Sequence, residues 1–281
     1  MKNNILFLFL LFTFCTNVQA QEVKTETDEL THYMPMYLDM PAELNVHRGY
    51  KEINLGFGMA GFRDFNGQRL MLEYDFAPMD KLGFEIEVPF IFVQNKTHNT
   101  STEVPDVMVP EEGGNVQSAI AMRLGINYTL QSFKNIKTSI SIGYFNEFES
   151  SPFVHFGKPV IEANIYNPFF SVAKIWGDRF HAMLYCGPAF RQSFTGEEAK
   201  TVYRFNPTVS YHIGKLNKEN FIALECNNVW AKGDAGQMIL RPQFQMQLSG
   251  KWKFGFVGGV PVATNNHLKG SGIVRIIYSP K

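Results

Sequence analysis

From about residue 51 to the C-terminus, polar and apolar residues alternate in about a dozen runs that start again after each turn signal. This period of two restricts the chain to β-strands with one greasy and one wet face. A bilayer core offers no water to backbone N–H and C=O groups, so strands cross it only as a closed sheet without edges. Each crossing needs about 9 to 11 residues, which matches the runs.

The clearest run sets Ile120, Met122, Leu124, Ile126, Tyr128 and Leu130 against Ala121, Arg123, Gly125, Asn127 and Thr129. Others place Ile53, Leu55, Phe57 and Met59 opposite Glu52 and Asn54, or Phe84, Ile86, Val88 and Phe90 opposite Glu85 and Glu87. Long polar loops after odd runs and tight turns after even ones put both chain ends on the periplasmic side. Asn66-Gly67 gives the first hairpin signal. A run over 161–176 loses parity at Ile165, Phe169, Phe170 and Ile175, and Pro168, Pro188, Pro207 and Pro242 fall inside expected strands. Proline removes a ladder donor, so strand boundaries are least defined there.

The expected fold is therefore all-β: an antiparallel transmembrane β-barrel of about 12 strands over 51–281, behind a cleaved signal peptide. That peptide, 1–20, has a basic start at Lys2, an apolar stretch and an end at Val18-Gln19-Ala20. Cys15 follows Phe14, where lipidation wants a small residue. Residues 21–50 lack periodicity and form a periplasmic leader, or a plug segment tucked into the barrel mouth. Removing Lys2 lowers the basic count from 26 to 25 against 26 acids, so nothing advertises nucleic acid binding. The 26 Phe and 11 Tyr suit aromatic girdles at the two interfaces. Cys186 and Cys226 fall on the apolar face of separate runs, which disfavours a disulfide.

Taking the polar face as interior gives lumen-lining candidates: Glu52, Glu73, Asp75, Glu85 and Glu87 from early strands, and Arg123, Arg204, Arg241, Lys253 and Arg275 from later ones. Strand closure places Arg275 beside Glu52. Opposed arcs would orient polar solutes in a wet lumen, or become packed ion pairs in a narrow one. His181 and His212 with Ser139, Ser141 and Ser210 read as lumen polarity, and neither a catalytic set nor a cofactor is expected. His32, Met34, Met36 and Met40 offer soft-metal donor types, but the favoured reading is an apolar leader resting on the barrel, with no metal.

The stretch from Glu73 to Phe90 resembles a hairpin of outer-membrane barrels of the phenol meta-cleavage pathway (MetA-type), and the leader from His32 to Glu43 with Arg48 to Glu52 resembles that of a related Bacteroidetes-like group. The resemblance implies a barrel of about twelve strands that passes small, aromatic or hydrophobic solutes, and carries no functional residues with it. The expected function is a passive channel or uptake route in the outer membrane of a Gram-negative bacterium. Its partners would be outer-membrane lipid, a small-molecule solute and the barrel-assembly machinery. A non-conducting structural or adhesion barrel and a secreted soluble β-sandwich stand as alternatives.

Overall fold

The computed structural model describes residues 30, 32, 36, 44–62, 65–95, 117–150, 160–196, 198–214, 220–231, 236–263 and 268–280. The expected signal peptide, 1–20, lies outside them. Twelve antiparallel strands close into one barrel: β1 (Lys51–Phe62), β2 (Phe65–Met79), β3 (Leu82–Asn95), β4 (Gln117–Phe133), β5 (Thr138–Ser150), β6 (Ile161–Trp176), β7 (Phe180–Ser193), β8 (Lys200–His212), β9 (Phe221–Ala231), β10 (Gln237–Gln247), β11 (Trp252–Ala263) and β12 (Leu268–Tyr278). Closure is made by β1 and β12, paired from Ile53↔Tyr278 to Phe62↔Leu268, so no strand is left as an edge.

Sidedness follows the alternation. Ile53, Leu55, Phe57, Ile86, Leu124 and Ile142 stand exposed on the outside, while Asn54, Glu87, Asn127, Thr129, Ser139 and Ser141 are buried inside. A soluble β-sandwich is excluded by this single closed sheet, whose greasy face points outward. Aromatic pairs ring the end that carries the β2–β3, β6–β7 and β10–β11 turns. Phe76 stacks on Phe84 at 5.4 Å, Phe180 meets Tyr211 at 4.9 Å, and Trp252 meets Tyr278 at 4.7 Å. Phe205 and Trp230 form a pair nearer the opposite end. Such amphipathic rings suit the bilayer boundaries. Among the described residues no helix is long and apolar enough to cross a membrane.

The prolines show how a barrel accommodates a missing donor. In an antiparallel sheet one residue's N–H and C=O face the same neighbour, so a proline disturbs one ladder and leaves the other. Pro168 pairs with Tyr144 on β5, while toward β7 the pairs stop at Tyr166↔Phe190 and resume at Phe170↔Cys186. Pro188 occupies the same gap from the other strand and keeps its partner Tyr203 on β8. Pro207 keeps Leu184 and opens the β8–β9 ladder; Pro242 keeps Leu224 and opens the β10–β11 ladder. At each gap the register resumes unchanged. In the gap shared by Pro168 and Pro188 the strands come close: a Cβ on Gly187 would lie 2.2 Å from the Pro168 carbonyl oxygen. Only glycine fits that approach.

Two expectations are corrected. Asn66-Gly67 lies inside β2, because Lys51↔Phe76 through Gly61↔Asn66 keep one unbroken register and the strand continues past the signal. Loop length does not alternate throughout: the β8–β9 connection, 213–220, is longer than the β9–β10 connection, 232–236. At the base of the longer one Ile213 N–H bonds to Asn220 O and Gln247 N–H to Asn220 Oδ1.

Candidate functional site

Two sets of groups fill the inside of the wall at the described level: an ion-paired arc on one side, and leader residues that cross the lumen. The expected acidic residues do gather on neighbouring strands, and basic residues reach them from both flanks. Arg123 on β4 is the register partner of Glu87, binds it directly, and holds Glu85 at 2.8 Å. Its guanidinium also lies 4.7 Å from the Phe145 ring centroid, a cation–π contact. Arg69 on β2 grips Glu87 from the other side. Lys253 reaches across β12 to Glu52 at 2.8 Å, and Arg275 reaches across β1 to Glu73 at 2.7 Å. Asp75 accepts a hydrogen bond from Asn54 at 3.2 Å.

The direct ion pair of Arg275 is thus with Glu73, while Glu52 pairs with Lys253; the register partner of Arg275 on β1 is Gly56. Long side chains of either sign lean over the intervening strand to meet. Arg241 donates to Ser271 at 3.4 Å, and Arg204 lies half-buried on β8, away from the acidic arc. The oxygens of Glu73, Glu85 and Glu87 come within 4.8 Å of one another, with guanidinium groups between them. At this level packed ion pairs describe the lumen better than two arcs facing each other across water. Two members were missed in the sequence. Arg69 shares the parity of Glu73 and could have been read from it. Glu225, fully buried and bonded to Asn227 and to Gln243 at 2.7 Å, lies in a run whose other inward residues are uncharged.

The leader enters beside the β2–β3 turn. Lys81 N–H donates to Val46 O at 2.7 Å, Gly49 N–H to Ala77 O at 2.9 Å, and Arg48 N–H to Asp80 Oδ1 at 2.7 Å. Asn45 adopts φ 60, a left-handed turn that asparagine tolerates. Its N–H donates to Thr129 Oγ1 at 2.9 Å, and its amide to Leu30 O and Ser139 Oγ. An isolated bridge joins His32 to Leu44, which folds these residues back on one another inside the barrel.

Leu44 is fully buried against Phe145, Phe169, Ala173, Met183 and Tyr185 of β5, β6 and β7. Met36 is buried against Phe221, Ala223 and Val257 of β9 and β11, with Ile273 of β12 beside it. Its N–H donates to Gln243 at 2.7 Å and its carbonyl accepts from Arg275. In a twelve-strand cylinder, β5–β7 and β9–β12 lie on different sides, so Leu44 and Met36 are seated on different sides of the lumen. Each seated apolar side chain contributes about 1.5–3 kcal/mol. These seats also bear on the lost parity of β6: Ile165, Phe169 and Ala173 face inward, and Phe169 and Ala173 belong to the apolar cluster that buries Leu44.

His32 is buried and its Nε2 shares a 2.8 Å hydrogen bond with Ser139 Oγ, while its Nδ1 has no hydrogen-bond partner among the described residues. Burial lowers its pKa to about 4. A cavity of about 10 Å³ lies beside it, lined also by His181, Met183, Thr208 and Ser210. This is room for one water. His181 and His212 are buried lumen residues with ring centroids 4.5 Å apart. The Ser139–His32 pair has the reach of a nucleophile and base, with Ser139 fully buried. Met34 and Met40 lie outside the described residues, and Met36 spends its side chain on packing. Cys186 and Cys226 are free thiols.

A closed antiparallel sheet with a lipid-compatible exterior and a charged interior defines a transmembrane β-barrel of the Gram-negative outer-membrane type. Within that class the chain belongs to the HAEPLYID-like family, whose model matches residues 28–279 and so includes the leader with the wall. Read as residues, the family's description agrees at His, Pro, Tyr and Asp with His32, Pro35, Tyr37 and Asp39 of the leader. No curated protein matches the chain. Among solved structures, the COG4313 outer membrane channel from Pseudomonas putida F1 is similar in fold, with a TM-score of 0.58, 11% identity, and coverage of 89% of this chain and 100% of that one. The KdgM porin is similar at TM-score 0.53 and 16% identity, covering 82% of this chain and 99% of that one. A KdgM porin in complex with disordered oligogalacturonate gives 0.54, at the same identity and coverage.

Proposed function

We propose that this protein is a passive channel or uptake route for small molecules across the outer membrane. The observation that carries the reading is where the interior is filled. The wall presents charged and amide side chains inward, and the lumen is crossed by leader residues that are not part of the wall. A barrel meant only as a rigid anchor could fill its interior from its own strands, as small barrels do. The fold neighbours support the class of protein, being a porin and an outer membrane channel. The resemblance to MetA-type barrels supports aromatic or hydrophobic cargo, and the inward strip of Phe145, Phe169, Met183 and Tyr185 offers such a solute a non-polar surface. The lumen candidates Glu52, Glu73, Asp75, Glu85, Glu87, Arg123, Arg204, Arg241, Lys253 and Arg275 line that route in this reading. It is bounded by outer-membrane lipid and built by the barrel-assembly machinery, with no catalytic step.

Planar bilayers containing the purified full chain test it. Discrete current steps that grow with salt concentration are expected. Absence of current at every salt concentration, from the wild type and from variants whose leader contacts are broken, would favour a structural or adhesion barrel instead.

A further inference from the structure

Resting on the channel reading, we propose that Arg204 is a carboxylate-binding subsite on this route, and that the solute it receives is a small aromatic acid. Arg204 differs from the other lumen cations in its surroundings. Arg69, Arg123, Lys253 and Arg275 are each bound to a glutamate, whereas Arg204, half-buried on β8, has no carboxylate partner among the described residues. The neighbouring strands supply none: β7 carries no acid, and the one acid of β9, Glu225, bonds to Asn227 and Gln243.

The guanidinium is nonetheless held in place. Asn167 on β6 is buried, and its amide is satisfied on both sides when the oxygen accepts from Arg204 Nη1 at 2.9 Å and from Tyr185 Oη at 3.1 Å, while its nitrogen donates to Pro188 O at 3.1 Å. That carbonyl lies in the gap that Pro168 and Pro188 open in the β6–β7 ladder. The gap thus frees a main-chain acceptor that orients Asn167, and Asn167 orients Arg204. A guanidinium has five N–H donors, and among the described residues Asn167 is the sole partner of this one. The remaining donors suit the planar fork of a carboxylate.

The collar around Arg204 sets what the carboxylate is attached to. Its register partner on β7, Gly187, has no side chain, and its partner on β9 is Val229. Two residues along, Val202 faces Ala189. These short apolar groups leave room beside the guanidinium and offer a non-polar body no hydrogen bonds. The collar holds no second cation, which favours a monoanion over a phosphate dianion. An apolar body carrying one carboxylate, on a route read as passing aromatic solutes, is a small aromatic acid.

The test follows benzoate binding to the purified full chain in detergent by saturation-transfer NMR, and the KCl current of the same protein in planar bilayers. A saturable benzoate signal that benzyl alcohol does not displace is expected. Arg204→Gln should weaken benzoate at least about ten-fold, the scale of lost hydrogen bonds to a charged group. Val229→Asp keeps the guanidinium but sets a carboxylate opposite it, and should weaken benzoate as much; both variants should keep the heat-dependent gel mobility of a folded barrel. Equal benzoate binding by the wild type and either folded variant overturns the subsite, and so does displacement of benzoate by an equal concentration of inorganic phosphate. Current without benzoate binding removes the subsite and leaves the channel intact. Benzoate binding that depends on Arg204, with no current from any form, supports the subsite and removes the channel reading instead.

Discussion

Arg123→Ala is expected to lower the unfolding free energy by about 3–5 kcal/mol, a loss typical of stranding buried charge. The substitution removes the guanidinium that bridges the buried carboxylates of Glu85 and Glu87, while Arg69 stays bound to Glu87. It also removes the cation held over Phe145. Adding Glu85→Gln to Arg123→Ala should recover at least half of the loss, because the stranded charge and not the missing side chain dominates the cost. The midpoint of urea unfolding in lipid vesicles, followed by the heat-dependent gel shift, reads both. A change below about 1 kcal/mol would mean that water screens these pairs, as it does on surfaces, and that the lumen is wet beside β3 and β4.

Lowering the pH from 7.5 to 5 is expected to shift His32 from its buried seat toward solvent by about 25-fold. The sign follows from burial. Seated, His32 has its pKa lowered from 6.5 to about 4 by desolvation. Unseated, it returns to its ordinary value. The cost of seating is therefore absent above about pH 6.5, grows as the pH falls toward about 4, and is constant below that. Among the described residues the groups around it are Ser139 on β5, His181 on β7, and Thr208 and Ser210 on β8, with His212 packed on His181; none of these is a carboxylate. His32→Gln isolates its share: the loss of Met36 amide protection that acid pH brings, read by hydrogen exchange, should mostly disappear in the variant. An unchanged acid response in His32→Gln would assign the effect to groups other than His32.

The wall was legible in the sequence because lipid imposes a period of two on every crossing, and that period survives without knowledge of tertiary contacts. Leu124 and Ile86 could be placed outside, and Glu85 and Glu87 inside, from parity alone. Parity failed at β6, and the reason is physical. The rule assumes a wet interior, whereas Phe169 and Ala173 face Leu44 of the leader, a contact far away in sequence. The partners of the charged residues were also out of reach. Register decides that Arg275 meets Glu73, and register comes from pairing across the β1–β12 seam, which no local pattern reveals. Prolines looked like objections to a barrel because a strand was imagined as bonded equally on both sides. Each one costs a short gap in a single ladder, and the sheet closes around it.

Site-directed spin labels in lipid vesicles give the most direct test of the closed, lipid-facing wall. Nitroxides at Leu55, Ile86 and Leu124 should collide readily with dissolved oxygen and rarely with a water-soluble nickel chelate, while nitroxides at Thr129 and Ser141 should be shielded from oxygen. Oxygen access that fails to alternate along β4, or chelate access at Leu124 equal to that of a surface loop, would contradict a barrel whose apolar face is solvated by acyl chains.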